Sequence, residues 1–434
     1  MFSSNSISNI LGIGDKNLVL TGEEIFETIK SVKYCVLNAI LTYEPSHCPH
    51  CNSNKDGHNI VKNGSQMVKI VFNRAGNNPI LLRVKKQRFY CKSCQKTFMA
   101  KTSLTNKGCF ISNDVKRSII GDLCEFKSIK LISKEHYVSS STVNRVLRST
   151  EITNRKHHLP EVLGIDEFKS TKSVEASMSV NLVDVSTGKI IDLVSDRRKF
   201  NLKEYFSSYP LKVREKVRYI TTDIYAPYID IAREMFPNAK IVLDKFHIVQ
   251  LMTRNMNIKR VNIMKTMKTN THNYRVLKRY WKIILAKEWE LNSVEFYSYR
   301  CYKNLTNSSE ILREILSFNE ELKDSHKFYQ HFLQSVELRD VDEINKILDK
   351  DLSDIPECFH TSISTLKKHR EYVINAIETT YSNASVEGNN NIIKTFKKIS
   401  FGFRSFRNFR ARILLRNRYK ICCSSSSNEL DTAA

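Results

Sequence analysis

Four cysteines of the chain stand in two C-x-x-C pairs, one in CPHC and one in CKSC. Two intervening residues let both sulfurs of a pair face one point, and two such pairs complete the tetrahedral thiolate shell that zinc prefers. We therefore predict a structural Zn²⁺ site. Its ligands are Cys48, Cys51, Cys91 and Cys94.

Two alternatives to this zinc site remain open from spacing alone, namely a redox C-x-x-C motif and chance pairing. The segment between the pairs, residues 52–90, is about twice as long as the roughly 15–20 residues of the common pattern. An inserted hairpin would explain the extra length. His47 and His50 are adjacent possible ligands, although four thiolates need neither.

Three acidic residues stand where a metal-dependent reaction needs them. Asp166 lies in or at the end of the apolar strand VLGIDEF, Asp223 ends the strand VRYITTDI, and Glu387 opens a late helix in NASVEGNNNIIK. Carboxylates that converge repel each other unless cations neutralise them. Two Mg²⁺ or Mn²⁺ ions roughly 3.5–4 Å apart can activate an attacking oxygen and stabilise a leaving one, which is the chemistry of phosphodiester cleavage and transfer.

Each of these acids alone has an ordinary structural interpretation, because Asp ends many strands. What favours the trio is its joint arrangement. Other acids compete by position: Glu167, Asp184, Asp192, Asp196 and Asp244.

The segment SIKLISKEHYVSSSTVNRVLRS has the pattern helix, turn, helix. We predict that Ile129, Leu131 and Ile132 line the first helix and that Ser140 or Ser141 caps the second. The buried side of the second helix is predicted to hold Val143, Val146 and Leu147. The residues left to face DNA are Ser141, Thr142, Asn144, Arg145 and Arg148. The alternative is an ordinary helical hairpin with a solvated basic face.

The elements that must position these residues follow from periodicity. Residues 1–45 are predicted to form a leader with one helix, because Ile25, Ile29 and Val32 recur at helical spacing. After a polar linker near residues 152–160, the order strand, strand, strand, helix, strand, helix, strand predicts a mixed α/β sheet. A long charged stretch of helical period follows.

The net charge points to the partner. The chain has 434 residues, and its 69 Lys and Arg against 45 Asp and Glu give +24. Inside a cell, a surface with this much positive charge usually binds nucleic acid. A basic enzyme without a nucleic-acid partner remains an alternative. No apolar run approaches the roughly 20 residues of a membrane span, and the N-terminus is a poor signal peptide. We therefore expect a soluble, cytoplasmic protein with no membrane partner.

A basic tail follows Glu387. Residues 392–420 hold ten Lys and Arg and no acid, with aromatics interleaved. We predict that most of the aromatics pack against the sheet as core while the cations face outward to DNA phosphates. The cations are Lys394, Lys397, Lys398, Arg404, Arg407, Arg410, Arg412, Arg416, Arg418 and Lys420. The aromatics are Phe396, Phe401, Phe403, Phe406, Phe409 and Tyr419. Asn389, Asn390 and Lys394 are expected beside the active site and its DNA.

In their order, these motifs resemble the DDE transposases of bacterial insertion sequences, specifically the ISL-three family. The similarity covers nearly the whole chain, through CPHC, CKSC, the helix-turn-helix, GIDEF, TTDIYAPY, DKFHIVQ and SVEGNNNIIK. It implies a ribonuclease-H-like fold in which Asp166, Asp223 and Glu387 bind the divalent metals, with an all-helical insertion before the last helix. Related transposases carry a [C/D]-x-x-H motif that Asp244 to His247 matches. The resemblance gives His247 an orienting or phosphate-contacting role, whereas a structural histidine is the alternative.

The resemblance also implies the reaction. Metal-activated water cuts at the ends of the element, and the freed 3′-hydroxyl attacks target DNA. The expected partners are duplex DNA, as terminal inverted repeats and as target, and further copies of the chain that pair two ends. The alternative is a non-catalytic zinc and helix-turn-helix regulator or an inactive transposase relic.

The expected architecture is multidomain α+β. The predicted parts are an N-terminal leader (1–45), a zinc ribbon (46–105), a helix-turn-helix (110–150), the first part of a ribonuclease-H-like core (158–250), a helical insertion (251–378), and the final core helix with the basic tail (379–422).

Overall fold

The computed structural model describes residues 7–9, 11–21, 24–29, 31–151, 156–400 and 403–430, with side chains of the last helix described through Arg418. The chain divides into two compact units. The first unit comprises residues 1–153 together with 395–434, and the second unit comprises residues 154–394.

The first unit is built on a six-stranded sheet whose central strands follow the order β1-β3-β5-β4. β2 also pairs with β3, and β6 pairs with β5. All pairs are antiparallel except β3 with β5. The strands are β1 (Leu18–Leu20), β2 (Ile25–Ile29), β3 (Val32–Leu41), β4 (Ile60–Ala75), β5 (Asn78–Cys91) and β6 (Lys96–Met99).

The helix predicted at Ile25, Ile29 and Val32 is not present, because these residues form strands. Ile25, Ile29 and Val32 lie in the hairpin of β2 and β3, where Ile29 is paired with Val32 across a two-residue turn. The β-branched residues of this segment suit a pleated surface, and Ser31 takes a positive φ of 65° that closes the turn. The described part of residues 1–45 is not a separate leader, because Leu18, Leu37 and Leu41 share one core with the strands of the predicted zinc ribbon.

The long spacer between the cysteine pairs is occupied by a β-hairpin. β4 and β5 pair from Ile60 with Cys91 to Ala75 with Asn78, and Gly76 with a φ of +57° turns the chain. The hairpin therefore leads from one cysteine pair to the other and accounts for the inserted length.

Three helices follow the sheet: α1 (Asn113–Cys124), α2 (Ile129–Glu135) and α3 (Ser140–Ser149). Each begins with a serine whose side chain accepts a hydrogen bond from the third backbone N–H after it. The cap of α3 is Ser139, so the prediction of Ser140 or Ser141 is displaced by one or two residues. Leu131 is exposed, contrary to prediction, whereas Ile132 is buried. Val143, Val146 and Leu147 are buried as predicted.

The second unit contains a five-stranded sheet of order β11-β10-β7-β8-β9. β7, β10 and β11 are parallel neighbours, whereas β7, β8 and β9 form an antiparallel meander. The strands are β7 (Val162–Lys169), β8 (Met178–Asp184), β9 (Lys189–Val194), β10 (Tyr219–Thr222) and β11 (Lys240–Leu243). The predicted mixed α/β sheet is confirmed.

Helices connect and cover these strands. α4 (Lys199–Ser207) and α5 (Leu211–Arg214) precede β10, and α6 (Ala226–Met235) precedes β11. The helices after β11 are α7 (Lys245–Thr266), α8 (His272–Arg279), α9 (Trp281–Leu285), α10 (Ser308–Ser317), α11 (Glu320–Glu337), α12 (Val341–Asp349), α13 (His360–Lys368) and α14 (Arg370–Glu378), with 3-10 turns at Glu288–Glu290, Leu352–Asp354 and Glu357–Phe359.

The stretch after β11 is helical, as predicted, but the predicted boundary at residue 250 falls inside α7. That helix begins directly after β11, with Asp244 as its N-cap. The helices share one hydrophobic core with the sheet. At the sheet edge, the Asn375 side chain of α14 donates to the Ile241 carbonyl of β11 at 3.0 Å. None of the described helices has both the length and the apolar character that a membrane crossing requires.

Two helices end the chain: α15 (Ala384–Ile399) and α16 (Phe406–Leu430). The predicted grouping of 379–422 with the catalytic core differs from the structure, in which residues from 395 onward belong to the first unit. The reason is apolar packing, because Ala411 and Leu415 of α16 share a core with Val143 and Leu147 of α3.

Gly164 of β7 allows the close approach of α15. A Cβ at this position would lie 2.7 Å from Val386 Cγ2 and 3.0 Å from Val185 Cγ2. We expect Gly164→Ala to lower the free energy of unfolding by roughly 1–3 kcal/mol, because neither branched side chain can turn away freely. Thermal or urea unfolding would measure this.

Gly388 of α15 provides the matched control for this substitution. A Cβ there meets nothing within 4 Å, so Gly388→Ala should raise stability by up to about 1 kcal/mol through helix propensity. Equal stability of Gly164→Ala and the wild type would contradict the packing argument.

Candidate active site and metal centres

Three aspartates meet at one edge of the sheet of the second unit. Thr222 is paired with Ile165 on one side and with Leu243 on the other. The next residues along these three parallel strands are Asp223, Asp166 and Asp244. The carboxyl ends of parallel strands share an edge, so the register places the acids side by side.

Asp166 lies in a polar but largely buried environment. Its Oδ1 accepts from the Glu167 backbone N–H at 2.6 Å, and its Oδ2 accepts from the Asn390 side-chain amide at 2.6 Å. Burial, and then the nearby charge of Asp223, raise the pKa of Asp166 to about 6. The Asp223 carboxylate is therefore close enough to disfavour the ionisation of Asp166.

His247 lies in the first turn of α7 and faces Asp223. Its Nε2 is 3.0 Å from Asp223 Oδ1, and this hydrogen bond raises the pKa of His247 above its ordinary value. Burial raises the pKa of Asp244. Asp223 and His247 also line a cleft of about 240 Å³ with Glu167, Tyr225 and Tyr228.

Asn390 joins α15 to the acids. Besides Asp166, its amide donates to the Glu167 carbonyl at 3.2 Å, and its Oδ1 accepts from Asn181 at 3.2 Å. Asn390 is only 4% exposed. The prediction of DNA contact for Asn390 is thus at odds with its position, because its amide is committed to the site's own carboxylate.

Glu387 lies one helical turn before Asn390 and is exposed in the first turn of α15. Residues three apart share a helix face, which directs Glu387 toward the side that carries Asn390. Among the described residues, the ligand atoms of Asp223, Asp244 and His247 lie within 4.8 Å of one another, whereas Asp166 and Glu387 are outside that group. The predicted trio of Asp166, Asp223 and Glu387 therefore does not form a group within 4.8 Å in this structure.

The donor set fits a divalent cation. Carboxylate oxygens are the ligands that Mg²⁺ and Mn²⁺ prefer, and here the Asp166 carboxylate lies near that of Asp223. Within the described part of the chain, the hydrogen bonds and ion pairs of these two carboxylates involve Asn390, the Glu167 backbone and His247, and no Lys or Arg. The pKa of Asp166 is raised because its charged form is disfavoured in the metal-free site, and a bound cation would favour that charged form.

A pH effect on metal binding follows from Asp166. Its pKa in the folded, metal-free protein, about 6, lies above the ordinary value. As pH rises toward 6, Asp166 ionises and the stability of the fold falls. Below about pH 6, a metal ion must displace the proton of Asp166 in order to bind. We expect the affinity for Mn²⁺, measured by titration calorimetry, to weaken by up to about tenfold per pH unit below about pH 6.

The Asp166→Asn variant is the control for this titration. Any pH dependence of Mn²⁺ affinity that remains in this variant comes from other groups, including His247. An identical pH dependence in both proteins would contradict the assignment to Asp166.

The four predicted zinc ligands converge in the first unit. The Cys48 and Cys94 sulfurs are 3.7 Å apart, and those of Cys51 and Cys91 are 3.8 Å apart. All four sulfurs lie within 4.8 Å of one another. A tetrahedron with Zn–S bonds of about 2.3 Å has S···S edges of about 3.8 Å, so the spacing fits one Zn²⁺.

Hydrogen bonds and burial act on these thiols in opposite directions. The Cys94 backbone N–H lowers the pKa of Cys91 to about 6, and Ser53 lowers that of Cys51. Burial raises the pKa of Cys94 to about 12. Because zinc binds thiolates, binding would release the proton that Cys94 retains.

The predicted DNA-reading residues lie on one face of α3. Ser141, Arg145 and Arg148 are exposed, whereas Thr142 and Asn144 are half-buried. Thr142 belongs to the cap, since its backbone N–H donates to Ser139 Oγ at 3.1 Å. Asn144 donates to the Ser140 carbonyl at 3.1 Å.

The outward orientation predicted for the basic tail is wrong at two positions. Arg412 is fully buried and donates to the carbonyls of Leu123, Glu125 and Lys127, and Arg416 donates to the Cys124 carbonyl. These carbonyls end α1 or follow it, where cations are favoured.

The other tail cations differ in exposure. Lys394, Lys398, Arg404, Arg407 and Arg418 are exposed, and Lys397 and Arg410 are half-buried. The prediction for the Lys420 side chain lies outside the described residues.

The aromatics of the tail are mostly core, as predicted, but they pack with helices. Phe396, Phe403 and Phe409 are buried, and Phe406 is half-buried. Phe396 contacts Phe126 with ring centroids 4.8 Å apart. The predictions for Phe401 and for the Tyr419 side chain lie outside the described residues.

Two site residues were not selected from the sequence. Asp244 was only a competitor, although the pattern of an apolar strand ending in Asp is the same as at Asp223. Asn181 carries no local signal, because its role depends on its place opposite Asp166 across β7 and β8.

Comparisons with known proteins identify the family of the chain. The model of the ISL-three DDE transposase family, described as Transposase, matches residues 163–413. A protein of Lactococcus lactis subsp. lactis named ATP-dependent protease is 34% identical over 117 residues, which are 26% of this chain and 37% of that protein. The chain thus matches only about a third of the length of that relative.

Proposed function

Since the chain belongs to the ISL-three family of DDE transposases, we propose that it binds the terminal inverted repeats of an insertion sequence and catalyses metal-dependent DNA strand cleavage and strand transfer. One observation carries the proposal for the catalytic step. It is the register of β7 and β10, which pairs Ile165 with Thr222 and so sets the next residues, Asp166 within β7 and Asp223 after β10, side by side.

We assign the catalytic metals to Asp166, Asp223 and Glu387, on a ribonuclease-H-like core formed by the five-stranded sheet and α15. When bound, two Mg²⁺ or Mn²⁺ ions would supply a nucleophilic oxygen and stabilise the leaving one. Asn390 holds the Asp166 carboxylate from α15, the helix that also carries Glu387. His247 hydrogen-bonds Asp223 and thereby fixes the orientation of that carboxylate.

DNA binding is assigned to the first unit. The Cys₄ group would hold a structural Zn²⁺ at the sheet, and α3 would enter the major groove with Arg145 and Arg148 toward the bases. The exposed Lys398 and Arg404 of this unit are assigned to phosphates, and so is Lys394, the last residue of the second unit. Pairing two ends requires at least two copies of the chain, so we propose a homo-oligomer on DNA.

The test is a cleavage and joining assay. Purified protein is incubated with Mg²⁺ and duplex DNA that carries the inverted repeats flanking the gene, and nicked, cut and joined products are resolved on gels. We expect products with Mg²⁺ or Mn²⁺ and none with EDTA. Binding to the repeats without products in any metal would overturn the enzyme proposal and leave a DNA-binding regulator or an inactive relic.

Variants separate the active site from DNA binding. Asp166→Asn and Asp223→Asn should abolish products while the repeats are still bound. Cleavage that persists undiminished in both variants would reject the assigned site even if the protein cuts DNA.

A further inference from the structure

The C-terminal helix α16 completes the helix-turn-helix of the first unit. Ala411 and Leu415 of α16 share a core with Val115, Ile132 and Leu147 from α1, α2 and α3. The buried Arg412 binds the carbonyls at the end of α1. The beginning of α16 is thereby held in a defined position beside α3.

Asn408, in the first turn of α16, contacts two residues of α3. The Arg148 Nε donates to Asn408 Oδ1 at 3.1 Å, and Asn408 Nδ2 donates to Asn144 Oδ1 at 3.4 Å. Asn144 in turn donates to the Ser140 carbonyl. These hydrogen bonds link residues along the face of α3 that is predicted to read DNA. Asn408 connects Asn144 to Arg148.

This arrangement changes what each residue can do. With both ends of its amide engaged, Asn144 is less suited to the paired hydrogen bonds that read adenine. Arg148 uses Nε for Asn408, which leaves the fork between its two terminal nitrogens for a second acceptor. Those nitrogens are the fork that recognises the O6 and N7 atoms of guanine.

Charge at this junction is arranged to favour DNA beside α3. Arg407 forms a two-pronged ion pair with Glu151, which neutralises the acid nearest the end of α3 and keeps the pKa of Glu151 below its usual range. Arg145 is exposed on α3, and Arg404 is exposed two residues before the start of α16. An anionic duplex would thus meet cations from both segments.

We propose that Asn408 is a positioning residue that orients Arg148 toward a base edge of duplex DNA, so that the C-terminal helix sets part of the sequence preference. This rests on the proposed role of α3 in DNA binding. The recognition surface then combines residues 140–148 with 404–408, which lie far apart in the chain.

Selection from a pool of duplexes with a randomised central segment, followed by sequencing, tests the proposal on the full chain. Arg148→Ala should erase the preference at one base position and lower affinity for the selected site by about tenfold or more. Asn408→Ala should flatten the preference at the same position, with a smaller loss of affinity. The double variant should equal Arg148→Ala, since Asn408 acts through Arg148.

Asn106→Ala, an exposed loop asparagine of the same unit, is the control and should keep the wild-type preference. Melting temperatures of all variants identify any loss of folding. If Asn408→Ala matches Asn106→Ala while Arg148→Ala and Arg145→Ala change the preference, the positioning role is overturned. If none of the arginine variants changes it, the proposed role of α3 in DNA binding is overturned instead.

Discussion

Replacing Asp223 by asparagine should lower the rate of DNA strand cleavage by about 10³-fold or more, while binding of the terminal repeats stays within about twofold. Losing one preorganised electrostatic contact at a reacting centre already costs about 10²–10³-fold, and Asp223 would contact the metals directly. DNA binding should persist because we assign it to the first unit. Single-turnover cleavage and gel-shift assays measure the two effects separately.

Asp230→Asn is the matched control for this variant. Asp230 of α6 forms a half-exposed ion pair with Lys199 of α4, and such surface pairs contribute at most about 1 kcal/mol. Its cleavage rate should equal that of the wild type. Equal cleavage by Asp223→Asn and Asp230→Asn would reject Asp223 as a ligand.

An Asp223→Cys variant distinguishes a metal ligand from a structural acid. A thiolate is a softer ligand than a carboxylate and binds Mn²⁺ better than Mg²⁺. Cleavage by this variant should therefore be absent in Mg²⁺ and partly restored in Mn²⁺. A purely structural role through the His247 contact predicts equal loss in both metals.

Cys91→Ser should remove zinc from the chain and destabilise the first unit by several kcal/mol. Cys91 is fully buried at the end of β5, and structural zinc contributes about 10–16 kcal/mol in small zinc-finger peptides. The sheet of the first unit has its own core, so we expect a smaller effect, of about 3 kcal/mol or more. Metal analysis and thermal unfolding measure the two changes.

Cys109→Ser controls for the loss of a thiol, because Cys109 is half-buried outside the four-cysteine group. It should retain one zinc ion per chain. Stoichiometric zinc in Cys91→Ser, or no zinc in the reduced wild type, would disprove the zinc assignment. Unchanged stability after zinc loss would show that the ion is not structural.

Local patterns predicted several features correctly, each for a short-range reason. The C-x-x-C spacing is a property of one turn, and it led to four sulfurs at the distances zinc requires. The alternation of apolar residues predicted the mixed sheet of the second unit. The buried positions of α3 follow from helical periodicity, which Val143, Val146 and Leu147 obey.

Other predictions failed where long-range contacts decide the structure. The helical spacing of Ile25, Ile29 and Val32 was outweighed by strand pairing. β3, which begins at Val32, pairs with both β1 and β5. Arg412 is an ordinary tail cation by composition, and its burial is made favourable by the Leu123 and Glu125 carbonyls at the end of α1, to which it donates.

The sequence by itself determined the identities of the acids and thiols, the strands that end in aspartate, and the family to which the chain belongs. Only the tertiary structure decided which of these residues meet. The register of β10 with β7 and β11 set Asp223 beside Asp166 and added Asp244, because strand pairing is a contact between distant segments that no local pattern encodes. The same reason holds for Asn390 and Asn408. Their side-chain amides form hydrogen bonds with Asp166 and Arg148, which lie more than two hundred positions away in the chain.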